Sequence, residues 1–290
     1  MDQTEQLYES EATGWQRGLY EDIARTTGFV GSIWRTLMYH EPRFLRYAWG
    51  QLAPAFRTRE FAALDIALRD TLVSATEPDL PRYTLADVDL APGEFAELRG
   101  QLRCYDFAIA RYAVAFEIME RRLDGRPVGT DPPTEAGTAP VPEWLDPDRG
   151  REPKVLPNDE AREIVRGVVP ESHSGGFGEM VPTGYRSWAR FPSYLERVWA
   201  DIEPIVDAEA FETAREDAYS LIETYVDRLP YTPQVDPETL AGMGFDEGTV
   251  EELWELFATF ERGGRRFVPL VPVYAATVDA AGERRALTFP

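Results

Sequence analysis

Between residues 42 and 54 the chain reads PRFLRYAWGQLAP, and between 192 and 204 it reads PSYLERVWADIEP. In the first stretch Phe44, Leu45, Trp49 and Leu52 follow the i, i+3, i+4 spacing that puts side chains on one face of an α-helix. Tyr194, Leu195, Trp199 and Ile202 repeat that spacing. Pro42 and Pro192 suit the first turn of a helix, where a missing N–H is not needed, and Pro54 and Pro204 suit its end. With Phe61 and Phe211 added, seven pairs stand at one offset of 150 residues without a gap. Any one of these apolar residues, taken alone, is an ordinary core position. Their coincidence in order and spacing points to an internal duplication.

The correspondence continues after a shift. Thr84, Leu85 and Ala86 match Thr239, Leu240 and Ala241 at an offset of 155 residues. Leu98, Leu102, Tyr105, Asp106, Arg111 and Tyr112 match Leu253, Phe257, Phe260, Glu261, Arg266 and Phe267 at the same offset. The expected organisation is a first helical repeat over 17–124, a Pro-rich linker over 125–158 and a second helical repeat over 159–290. The linker holds eight prolines and four glycines, which favours an extended path along the surface.

Most of the remaining pattern is helical. Residues 1–16 are polar and read as frayed or as a short helix. A helix is expected over 17–26, then a break at Gly28 and Gly31, then a helix over 32–40. Thr58 is placed to cap a helix that buries Phe61, Leu64, Leu68 and Leu72. Residues 81–92 read as a loop, and 93–123 as one or two helices with Phe95, Leu98, Leu102, Tyr105, Tyr112, Phe116 and Met119 in one stripe. Asn158 and Asp159 are expected to cap a helix over 160–168, Asp207 the helix carrying Phe211, and Asp246 the helix carrying Leu253 and Phe257. Pro237 opens a helix between the last two. The glycine-rich run HSGGFGEM, 173–180, lacks the Lys-Ser or Lys-Thr of a phosphate-binding loop and the βαβ setting of a dinucleotide loop, and reads as a hinge. The segment FVPLVPVYAATV, 267–278, has strand propensity, but its two prolines predict irregular packed chain. The fold class expected is all-α, built from two pseudo-twofold related helical repeats.

Charge narrows the setting. The formal net charge is −21, with 51 carboxylates against 30 basic residues, and Lys154 is the single lysine among 29 arginines. Such self-repulsion weakens a compact state in dilute salt, whereas at 1 M salt the Debye length falls to ~3 Å and screens it. Acidic excess with arginine in place of lysine is the composition expected of a cytoplasmic protein from a halophilic archaeon. It argues against nucleic acid as a partner, since no basic stripe interleaved with aromatics is present. Cys104 alone allows no internal disulfide, and His40 and His173 form no zinc-binding spacing. No apolar run approaches the ~20 residues of a membrane span.

The doubled PxFLxxxWxxLxP helix, its second copy ahead of a long helix, and the Pro-rich linker resemble the group I 2-haloacid dehalogenases. The resemblance covers nearly the whole chain. It implies an all-α fold of two repeats with the active site between them. The reaction it implies is hydrolytic: an aspartate activates a water that displaces halide from the 2-carbon of a small haloacid, and an asparagine holds the same water. No metal or organic cofactor takes part, the partner is a small carboxylic acid, and a homodimer stays open.

Carried over by position, the frame of Tyr185, Trp188, Pro192, Tyr194 and Leu195 puts Gly184 where the aspartate stands. The segment YDFAIARY puts Ile109 at the asparagine. Neither can take a proton. The nearest acids are Asp106, one helical turn before Ile109, and Glu179 in the glycine-rich run. These are the candidate bases, and each also reads as an ordinary paired or solvated acid. Trp34, Ile109, Thr183, Gly184 and Tyr185 are the candidate substrate-binding residues, with a core aromatic and a helix cap as the alternatives for Trp34 and Thr183. Two functions follow: a cofactor-independent 2-haloacid dehalogenase with its water-activating positions substituted, or a non-catalytic small-organic-acid-binding or interaction protein on the same scaffold.

Overall fold

The computed structural model describes residues 1–134, 150–175 and 178–284. The middle of the expected linker, two residues of the glycine-rich run and the last six residues lie outside the described residues. Among those described, the regular elements are helices: α1 Gly14–Thr27, α2 Ser32–His40, α3 Pro42–Leu52, α4 Arg59–Thr76, α5 Pro92–Leu123, α6 Asn158–Arg166, α7 Glu171–Ser174, α8 Thr183–Trp188, α9 Pro192–Val206, α10 Glu209–Asp227, α11 Pro237–Gly242, α12 Glu247–Phe267 and α13 Leu270–Thr277. The fold is all-α.

The pattern of burial explains the arrangement. From Gln101 to Met119 every residue of α5 except Arg103 is buried, so this helix is wrapped on all sides. It packs along α12, and α4 packs along α10. Helix α13 lies across α4 and α5. Trp49 on α3 and Trp199 on α9 are both buried with the indole N–H donated to a carboxylate, Asp22 at 2.7 Å and Glu203 at 3.2 Å. The described flanks of the linker are hydrogen-bonded to the helical body: Gly129 N–H donates to Val226 O, Arg151 N–H to Gly100 O and Leu156 N–H to Arg186 O.

Several local expectations change. Residues 267–278 are helical rather than irregular: α12 runs through Phe267 and α13 takes up at Leu270. Pro269 is the N-cap of α13 and Pro272 falls in its first turn, where no intrahelical N–H is required. Asp207 does not cap α10; it follows the end of α9, Ala208 is the N-cap, and Asp207 instead meets His173 Nε2 at 2.9 Å. Asn158 is the first residue of α6, after an N-cap at Pro157. Its side chain reaches sideways, donating to Glu179 O at 3.2 Å and accepting from Val181 N–H at 2.9 Å. The N-terminal residues are docked rather than frayed, with Gln6 and Ala12 buried and Leu7 accepting the Tyr20 hydroxyl at 2.7 Å.

Candidate functional site

Where α5 passes the starts of α2 and α8, the packing leaves a cavity of about 70 Å³. Four contributions build its wall. Helix α5 presents Tyr105, Ile109, Tyr112 and Phe116. Their spacing of four, three and four residues makes one stripe. The start of α2 contributes Gly31, Ser32 and Ile33, the segment 180–182 leads into Thr183 and Gly184 of α8, and the end of α12 contributes Phe260, Gly264 and Phe267.

Two tyrosines fix this frame. The Tyr105 hydroxyl donates to Thr183 O at 2.9 Å and ties α5 to the start of α8. The Tyr112 hydroxyl accepts from Gly31 N–H at 2.7 Å and donates to Phe29 O at 2.9 Å, holding the turn before α2. Burial pushes both phenols well above the ordinary tyrosine range, so they act as hydrogen-bonding groups and not as bases. The lining is predominantly apolar, and the side-chain polar groups among its residues are these two hydroxyls and those of Ser32 and Thr183. Among the described lining residues there is no aspartate, glutamate, histidine, lysine, arginine or cysteine.

Aromatic rings press on two of the three glycines at the wall, Gly31 and Gly184, more closely than on Gly264. A Cβ on Gly31 would lie 2.7 Å from the Tyr112 hydroxyl oxygen, and a Cβ on Gly184 would lie 2.4 Å from Phe267 Cζ. The Phe267 ring has little room to yield, since it packs against Tyr185 and Trp188 at centroid distances of 5.2 and 5.6 Å.

The structure brings Ile109, Thr183 and Gly184 together on this cavity. Trp34 is fully buried one layer behind it, 6.1 Å from the Tyr112 ring and 5.9 Å from Trp49. Tyr185 is likewise fully buried behind α8, against Trp188.

Neither candidate base reaches the site. Asp106 is turned about 100° round α5 from Tyr105 and faces α4. There it accepts from Arg69 Nε at 2.7 Å and from Gly282 N–H at 2.8 Å. Burial pushes its carboxyl up, against the pull of the Arg69 guanidinium. Arg69 also bonds Asp65 and, at 2.8 Å, Glu283 O, so the cluster clamps the chain after α13. Glu179 lines a neighbouring outer groove with Arg162 and Arg166, which meets the cavity at Met180 and Val181, and it is not itself a residue of the cavity wall. Its carbonyl, not its carboxylate, accepts from Asn158 and Arg162. Arg186, beside Tyr185, donates to Leu156 O at 2.9 Å and anchors the linker. No group of three or more His, Cys, Asp or Glu among the described residues is placed to hold a metal ion.

Sequence reasoning missed Phe267, Tyr105, Tyr112 and Met180 as wall residues. The pairing of Tyr112 with Phe267 at one offset was the available signal, since both prove to press on a glycine of the same cavity.

Comparison with known proteins agrees with this architecture. A family model described as halocarboxylic acid dehydrogenase DehI matches residues 28–154. An (R)-2-haloacid dehalogenase of Pseudomonas putida is 25% identical over 266 residues, covering 84% of this chain and 82% of that protein. An (R)-2-haloacid dehalogenase of Rhizobium sp. (strain NHG3) is 24% identical over 169 residues, 57% of this chain and 64% of that one. The fold resembles a solved D-2-haloacid dehalogenase in complex with L-LA, with a TM-score of 0.72 and 19% identity over 94% of this chain and 95% of that one. It also resembles a mutant D-2-haloacid dehalogenase in complex with D-2-CPA, with a TM-score of 0.72 and 18% identity over 95% of each chain.

Proposed function

The chain belongs to the DehI-type family of 2-haloacid dehalogenases, and from that premise we propose that it binds a small 2-substituted carboxylic acid without hydrolysing it. The observation that carries this reading is the absence of any proton-accepting side chain among the described residues of the cavity wall. Hydrolytic displacement needs a base aimed at the attacking water. The position that the family resemblance assigns to that base is Gly184, and the one assigned to the second hold on the water is Ile109. Neither the glycine nor the isoleucine has a side-chain group that could hydrogen-bond that water.

Binding is another matter. The Ser32 and Thr183 side chains at the wall carry hydroxyls, and hydroxyl donors suit a carboxylate. The Ile109, Phe116 and Phe260 side chains suit an apolar 2-substituent. Relatives solved with D-2-CPA and with L-LA, a small haloacid and lactate, support a ligand of this size. No described helix is long and apolar enough to cross a membrane, and the acidic composition supports a salt-rich cytoplasm as the working compartment.

The test is paired. Calorimetric titration with each enantiomer of 2-chloropropionate is expected to show saturable binding, while chloride release from the same mixtures stays at background. Turnover near ~1 s⁻¹, the low end of ordinary enzymes, would overturn the non-hydrolytic reading in favour of the family's reaction. Binding to neither enantiomer would overturn the ligand class.

A further inference from the structure

We propose that Phe267 is the specificity-determining residue of the cavity, closing it at Gly184 so that only an acid with a methyl-sized 2-substituent fits. The proposal rests on the reading of the cavity as an acid-binding site and names the size class that the site accepts.

Three observations carry it. The ring lies against the wall where a side chain at residue 184 would project, with Cζ 2.4 Å and both Cε atoms 3.2–3.3 Å from the site of a Cβ. Residue 184 is thus more than stripped of its side chain: its side-chain space is occupied by another residue. The ring is also held. It leans on Tyr185, itself packed on Trp188 and Tyr274, so rotation away from Gly184 would have to displace a fully buried aromatic cluster. Finally, Phe267 faces the α5 stripe across a cavity of only about 70 Å³, a volume to which the loss of one phenyl ring would add substantially. Close-packed interiors give way poorly to added volume, so a ligand group larger than the existing space is excluded rather than accommodated. Ile109, Phe116 and Phe260 line the same space, but the closest approach to the side-chain position of residue 184 is that of Phe267. Ser32 and Thr183 are small, and Tyr105 and Tyr112 are tied by hydrogen bonds that hold the helix starts.

The experiment compares the full-length protein with Phe267→Ala, and with Phe267→Leu should the alanine variant not fold. Two acids are titrated: 2-chloropropionate, and 2-chloro-2-phenylacetate, which carries the missing ring. The affinity ratio between the two acids is expected to move by about tenfold or more in favour of the phenyl acid, a change of one decade or more in Kd. A general loss of stability does not reverse a preference, so a purely structural role predicts no such change of ratio. An unchanged ratio overturns the proposal.

A second arm needs no acid. Gly184→Ala is expected to lower the thermal midpoint on the Phe267 background and to cost little or nothing on the Phe267→Ala background, a coupling expected of contacting residues. Equal shifts on both backgrounds overturn the closure. Benzene, which enters dry apolar cavities, is expected to bind the Phe267→Ala variant and not the unmodified protein, followed by ligand-observed NMR; equal uptake overturns the closure. Coupling and benzene uptake without binding of either acid would sink the acid-binding reading while leaving Phe267 as the group that closes the cavity.

Discussion

At the scale of single residues, Gly184 and Asp106 show what a side chain's surroundings decide. Gly184 sits at the position that the resemblance gives to a water-activating aspartate, and the Phe267 ring fills the space that such a side chain needs. Gly184→Asp is therefore expected to destabilise the protein by about 1–3 kcal/mol through overpacking and to release no chloride from 2-chloropropionate. Adding Ile109→Asn does not remove the clash. A carboxylate left between apolar walls also has its pKa raised and stays protonated. Halide release, measured by ion chromatography, is expected only when Phe267→Ala is added to that pair; release from Gly184→Asp alone would show that the ring yields. Asp106 is the opposite case, an acid well placed in sequence and badly placed in space. Buried against Arg69 and Gly282 N–H, it holds the chain after α13. Asp106→Ala leaves Arg69 without its closest partner and is expected to cost about 3–5 kcal/mol in urea unfolding while acid affinity stays within a factor of ~3 (~0.7 kcal/mol). A loss of affinity with unchanged stability would restore Asp106 to the site. Ile109, Thr183 and Gly184 were legible because a sequence frame fixes them. Phe267 was not, since which aromatic of a core stripe faces a cavity depends on contacts far away in the chain.

At the scale of elements, boundaries were readable where a cap or a proline marks them. The Thr58 hydroxyl accepts from Phe61 N–H at 3.0 Å and donates to Ala55 O at 3.2 Å, and it meets the Tyr225 hydroxyl of α10 at 3.1 Å. It thus starts α4 and joins it to the helix packed along it. Thr58→Ala is expected to cost about 1–2 kcal/mol, read as a lower midpoint of thermal unfolding; a change below ~0.3 kcal/mol would show that the cap is redundant. Asp246 caps α12 in the same way, through Thr249 N–H at 2.8 Å. Propensity misled at 267–278, where tertiary packing makes a helix of β-branched residues and the prolines fall where α13 begins and needs no donors. Asp207 looked like a cap because sequence alone does not show that α9 extends to Val206. One contact between elements sets a pH dependence. Glu97 on α5 meets Arg190 at 2.7 Å and Lys154 at 3.1 Å, and its bond from Arg190 holds its carboxyl below the ordinary glutamate range. A depressed folded pKa means that this contribution is complete above the unfolded value of ~4.3 and is lost as pH falls through the folded one. Glu97→Gln is expected to flatten the acid limb of a plot of thermal midpoint against pH while shifting the neutral plateau by no more than about 1 kcal/mol. An acid limb identical to that of the parent would remove Glu97 from the account.

At the scale of the whole molecule, we propose that the doubled sequence pattern marks two related helical halves. The duplication equates α4 with α10 and α5 with α12, and these are the pairs that lie most extensively together. A twofold relation between two copies would place elements near its axis beside their own equivalents, which is why we read the halves as related. Such an interface draws its strength from apolar burial, and electrostatics oppose it. A chain with net charge −21 and 29 arginines in place of lysines gathers like charge as it compacts. The buried arginine–carboxylate clusters, Arg69 with Asp106 and Asp65 among them, offset this only locally. Most of the other described acids are exposed or half-buried, where salt decides the cost. At ~0.1 M the Debye length is ~10 Å and neighbouring surface carboxylates repel across it; at ~1 M it is ~3 Å and they hardly do. Compaction is therefore expected to need molar salt. Far-UV circular dichroism during dialysis from ~3 M to ~0.1 M KCl should show helicity falling, and restoring salt should recover it. The anion separates screening from other salt effects: KCl and K₂SO₄ at equal ionic strength screen alike, so an additional midpoint gain in sulfate measures strengthened apolar burial. Helicity and thermal midpoint unchanged at ~0.1 M salt would show that the packed interface between the halves outweighs the repulsion, and the acidic surface would then need another explanation.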